Sequence, residues 1–111
     1  MQLSFQQGHA VSLPTAKTVA SGLMPPFAGK MCLAHLKRFA SGVLTVSDRE
    51  IAQATRMLCS RGLFVEPSGA AAFASLVFGK VPDLRGNVVV MVTGSNSTPA
   101  ELDALFKTFK V

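Results

Sequence analysis

The segment from Pro67 to Gly79 constrains this chain more than any other. Read as a helix, it places Ala70, Ala71, Ala72, Phe73, Leu76 and Val77 around its whole circumference and leaves no polar face. A helix apolar on every side has to be covered on every side. Glu66 and Pro67 open it, because proline suits the first helical position, where no backbone N–H is needed. The chain is 111 residues long, enough for one domain at most. Only 15% of its residues are charged and 49% are apolar, against about 25% charged in ordinary soluble domains. The expectation is therefore one segment, 1–111, of a larger domain, with apolar surface that other protein must cover.

A second buried element follows. Val88–Val92 is β-branched except for Met91, the pattern of a strand buried on both faces of a parallel sheet. Thr93, Gly94, Ser95 and Asn96 then form a loop, and Thr98, Pro99 and Glu101 make a capping box with proline at the first helical position. Leu102, Leu105, Phe106 and Phe109 line one face of the last helix, while Asp103 and Lys107 are spaced for an ion pair on the other. Upstream, Ser47 and Glu50 form another capping box, opening a helix that buries Ile51, Ala54, Thr55 and Leu58 and ends near Gly62. Val43–Val46 and Leu63–Val65 read as short strands. From Ala28, the residues Met31, Cys32, His35, Leu36 and Phe39 recur at helical spacing, with Gly42 as a stop. His35 on that stripe reads as a core histidine. Residues 1–26 are the least regular part. The class is α/β, a partial parallel-sheet domain.

Composition removes several function classes. So apolar a chain is not disordered. Its longest apolar runs, Gly69–Gly79 and Val88–Val92, fall short of the roughly 18 residues that cross a bilayer. No basic segment followed by an apolar stretch marks a secretory signal, so a cytoplasmic setting is the default expectation. Cys32 and Cys59 lack zinc-type or C-x-x-C spacing and read as reduced, buried thiols; no metal site is expected. The formal charge is +5, and no carboxylate precedes Asp48. Without Trp, Tyr or a dense basic stripe, nucleic acid is not the expected partner. The basic residues suit an acidic partner or another part of the same protein.

In an open parallel sheet, ligands bind beyond the carboxyl ends of the strands. Glu66–Ala70 and Thr93–Asn96 occupy such places, each leading into a helix N-terminus. Spacing alone also allows plain caps there, and Glu66 by itself reads as a carboxylate set against a helix dipole.

A resemblance adds to this. Leu63-Phe64-Val65-Glu66-Pro67-Ser68-Gly69-Ala70-Ala71-Ala72 resembles the V-E-P-x-G-A-A segment of the pyridoxal-phosphate (PLP)-dependent serine/threonine dehydratases. Thr93-Gly94-Ser95-Asn96 resembles the terminal S-G-G-N or C-G-G-S-N element of that family. Ser12-Leu13-Pro14 with Thr18-Val19-Ala20-Ser21-Gly22-Leu23 is similar to its L-P-x-x-x-T-I-A-D-G-L stretch, and Leu44–Ile51 to its V-S-D-E-E-I helix start. These segments occur in family order along nearly the whole chain.

The resemblance implies the C-terminal part of the large domain of a fold type II PLP enzyme. It implies β-elimination of water from serine or threonine, with loss of ammonia to a 2-oxo acid. Thr93 would face the coenzyme's ring nitrogen as a neutral hydroxyl, Glu66 would lie near the ring, and Gly94, Ser95 and Asn96 would close that wall. Thr93 stands where the family usually has serine or cysteine, Ser21 where it has aspartate, and Ser95 where it has glycine. The family's S-x-K lysine segment and glycine-rich phosphate loop have no counterpart here. Lys17, Lys30, Lys37, Lys80, Lys107 and Lys110 all lie in other contexts, so no catalytic residue is assigned. The expectation is that the chain alone neither binds PLP stably nor catalyses the reaction. It would act with a complementing N-terminal segment or as a homo-oligomer; a non-catalytic interaction module derived from the family is the alternative. Racemase and threonine synthase activities of the same fold type are not separated by these residues.

Overall fold

In the computed structural model, which describes residues 1–111, five helices are joined by extended and turning segments: α1 (Gln2–Gln7), α2 (Lys30–Phe39), α3 (Asp48–Cys59), α4 (Pro67–Val77) and α5 (Pro99–Phe109). A 3₁₀ turn occupies Ser21–Leu23. The molecule is a plate of 39 × 38 × 20 Å. With helices about 10 Å across, that thickness holds two layers and leaves none for a third.

The core lies where α3 crosses α4. Ala54, Leu58, Val65, Ala70 and Ala74 form it, with Val46, Cys59, Phe73 and Phe78 packed around them. Small residues on α4 let the two helix backbones approach closely, and the apolar face of α3 is the one its periodicity indicates: Ile51, Ala54, Thr55 and Leu58 are all buried. The buried Thr55 hydroxyl donates to the Ile51 carbonyl at 2.8 Å, so its polar atom is satisfied within the helix.

Both capping boxes form. Ser47 Oγ accepts from the Glu50 amide while Glu50 Oε2 accepts from the Ser47 amide at 2.7 Å. Thr98 and Glu101 repeat the exchange at α5, again with a 2.7 Å return bond. The carboxylates ionise more readily as a result. Lys80, 2.8 Å from Glu50 Oε1, and then the Ser47 amide hold Glu50 down at about 2 from an ordinary 4.5. The Thr98 amide and then its hydroxyl lower Glu101.

Several expectations are corrected. Within residues 1–26, Gln2–Gln7 forms a short helix that closes on Gly8 at φ 78°. The segments 43–46, 63–65 and 88–92 are extended, but no β-ladder joins them, and the single pairing is an isolated bridge between Ser12 and Phe27. A parallel strand needs a neighbour hydrogen-bonded along its edge, and 88–92 forms no ladder with any other segment. That segment is exposed rather than buried on both faces, with Val89 at 86% and Met91 at 69% accessibility. The stripe on α2 is likewise uncovered: Met31 is 76% and Phe39 73% exposed, and Leu33 is the buried residue instead. His35 is therefore an exposed histidine, its Nδ1 2.9 Å from the Met31 carbonyl, and Cys32 is exposed rather than buried. Cys59 is half-buried, and both thiols are free. Asp103 and Lys107 do not pair; the ion pair is Lys80 with Glu50. α4 has one buried side (Gly69, Ala70, Ala74), while Ala72 and Val77 remain exposed. No helix is long and apolar enough to cross a membrane.

Candidate functional site

The two loops singled out by the sequence meet. Glu66 is the N-cap residue of α4, in extended conformation, yet its side chain makes no capping bond to its own helix. It turns instead to the other loop, where Glu66 Oε2 accepts a hydrogen bond from the Asn96 amide at 3.0 Å. The backbone closes the same junction, the Glu66 amide donating to the Gly94 carbonyl at 3.1 Å. A carboxylate accepting a backbone N–H makes one of the stronger hydrogen bonds available to it.

Two glycines make this approach possible. Gly94 sits at φ 77°, and a Cβ there would collide with Glu66 Oε1. Glycine meets both demands, a left-handed backbone and no side chain. At Gly69, in the first turn of α4, a Cβ would overlap the carbonyl oxygen of Thr93. The end of the 88–93 segment thus rests directly on the helix backbone. Gly69 is the glycine of the V-E-P-x-G-A-A-like segment, and that glycine is the sequence signal for this close approach.

The N-terminal part supplies a third side. The Gly22 amide donates to Ser68 Oγ at 2.9 Å, and Thr18 Oγ1 donates to Asp48 Oδ1 at 2.5 Å. Residues 18–23 are thereby pinned to the starts of α3 and α4. Beside them a groove of about 380 Å³ is lined by Val19, Ser21, Pro67, Asn96, Glu101 and Leu102 among others. Glu66 is half-buried, whereas Thr93, Gly94, Ser95 and Asn96 are exposed. The arrangement is one open wall, with hydroxyl, amide and backbone groups presented outward. No three His, Cys, Asp or Glu side chains come together as metal ligands would.

The family described as pyridoxal-phosphate dependent enzyme matches residues 1–94. This chain belongs to that family. A serine racemase of Schizosaccharomyces pombe is 29% identical over 96 residues, covering 86% of this chain and 30% of its own. An L-threo-3-hydroxyaspartate ammonia-lyase of a Pseudomonas species is 31% identical over 107 residues, covering 96% of this chain and 34% of its own. Among solved structures, a fungal L-serine ammonia-lyase from Rhizomucor miehei superposes with a TM-score of 0.79 at 29% identity, over 97% of this chain and 37% of the other. The chain spans about a third of the length of these curated relatives. The fold type II resemblance read from the motifs is thus shown, and PLP is the cofactor of the family.

Proposed function

We propose that this chain forms one wall of the coenzyme pocket of a serine/threonine-dehydratase-type PLP enzyme and does not carry out the reaction alone. The meeting of Glu66 with Gly94–Asn96 supports this most directly. It leaves no room for a side chain at Gly69 or Gly94, and Thr93 is exposed beside it. The donor set suits a neutral aromatic nitrogen: a threonine hydroxyl at position 93, with no basic residue in the loop.

PLP, when bound, supplies an electron-accepting ring that stabilises the charge left when an α-proton is removed. Thr93 would hold its hydroxyl against the ring nitrogen. A hydroxyl leaves that nitrogen without a full positive charge, which favours loss of a β-hydroxyl over more demanding carbanion chemistry. Gly94, Ser95 and Asn96 would close the wall, with Glu66 behind them. The lysines stand elsewhere: Lys80 pairs with Glu50, and Lys37 donates to the Gly8 carbonyl at 3.2 Å.

The exposed Val89 and Met91, together with Leu63 and Phe64, mark the edge where the rest of a sheet would dock. A complementing segment is the partner this edge fits; a second copy of the chain is the alternative. The test is to add PLP and serine or threonine to the purified protein and reduce with borohydride. The expected outcome is no stable lysine adduct and no 2-oxo acid. A reducible adduct with turnover overturns the claim of inactivity, and strict monomers without dye binding overturn the partner edge.

A further inference from the structure

A short polar side chain at the N-cap of a helix, Ser, Thr, Asp or Asn, accepts from its own N2 or N3 amide. The longer Glu66 side chain makes no such bond. Its Oε2 is committed to the Asn96 amide, thirty residues away, and its Oε1 fills the space that glycine leaves at position 94. The Gly94 carbonyl takes the Glu66 amide, and the Thr93 carbonyl rests on Gly69. Three of the four loop residues, Thr93, Gly94 and Asn96, are therefore fixed by the start of α4, each through a different contact.

We infer that Glu66 is a positioning residue. Its carboxylate clamps the Thr93–Asn96 loop into a preformed surface, and its effect on any bound group passes through that loop. The consequence for PLP rests on the reading above, whereas the clamp does not. Because the contacts are all within these 111 residues, the loop holds its shape with no cofactor present.

The test is amide NMR on the whole chain. With Glu66 intact, the Asn96 amide proton resonates downfield and exchanges slowly for an exposed loop. Glu66→Ala moves that resonance upfield and speeds its exchange about tenfold, the loss expected of one charge-assisted hydrogen bond. Glu66→Gln keeps an acceptor oxygen and restores most of the downfield position. Gly94→Ala perturbs the same amide from the opposite side while the carboxylate is present, which keeps the clamp testable if Glu66→Ala does not fold. An Asn96 amide unmoved in Glu66→Ala, or disturbed equally by Gln and Ala, overturns the clamp. Titration with PLP is read separately. Perturbation of 93–96 by PLP with no response to Glu66→Ala sinks the clamp and keeps the cofactor reading. A response to Glu66→Ala with none to PLP supports the clamp and agrees with a chain that does not hold PLP stably alone.

Discussion

Residues 51–78 and residues 80–92 both carry many apolar side chains, but they meet opposite fates. In the first region Ala54, Leu58, Val65, Ala70 and Ala74 enclose one another. In the second, Val88, Val89, Met91 and Val92 are exposed. Helices supply their own backbone hydrogen bonds and need only a facing stripe, so α3 and α4 satisfy each other within the chain. An interior parallel strand needs an edge partner and cover on two faces. Apolar pattern therefore reports the environment a segment requires; whether that environment exists depends on what lies beside it.

The difference can be broken by deletion of the same kind of atoms on both sides. Leu58→Ala is expected to cost about 2–5 kcal/mol in denaturant unfolding, because Leu58 sits in the closed part. Equal losses from Leu58→Ala and from Val89→Ala would mean that 88–92 is packed after all. Gly69→Ala tests the contact that joins the two regions. Forcing a Cβ against the Thr93 carbonyl should cost about 1–3 kcal/mol, as overpacking does, and should shift the amide resonances of 93–96. An unchanged loop would show that the contact is not required.

Ser47→Ala removes half of a capping box and should cost about 0.5–2 kcal/mol by thermal unfolding, without moving the loop at 93–96. The charge on Glu50 contributes less. Its folded pKa lies below its unfolded one, so its contribution is present above about pH 4.5 and is lost as pH falls toward about 2. Replacing Lys80 with Gln removes the largest cause of that depression, and a carboxylate NMR titration should show Glu50 protonating at higher pH. Smallest of all, Val89→Ala should change the stability of this chain by no more than about 0.5 kcal/mol. The same variant should weaken association with a complementing segment if that edge is a docking strand.

Much of the framework was legible beforehand, for a local reason. Ser47 with Glu50, and Thr98 with Glu101, interact across three residues, so their sequence spacing nearly fixes their geometry. Pro67 marks the start of α4 by the same logic. The α2 stripe shows where legibility stops. Spacing placed Met31, His35 and Phe39 on one face, and the structure leaves that face without a neighbour, so the histidine read as core is exposed. The helix at Gln2–Gln7 gave no such signal, since it carries neither a capping side chain nor an acidic first turn.

The candidate site divides in the same way. Motif resemblance made the family readable and singled out Glu66 and Thr93–Asn96, and the structure brings Glu66 against Gly94 and Asn96. The sequence by itself determined helix starts and the buried face of α3, because those follow from short-range hydrogen bonding and periodicity. Only the tertiary structure decided that Glu66 turns to the Asn96 amide, that Gly69 receives the Thr93 carbonyl, and that 88–92 lacks cover. Each of these depends on which backbone is brought alongside from a distant part of the chain, or on none being there, and no local rule encodes that.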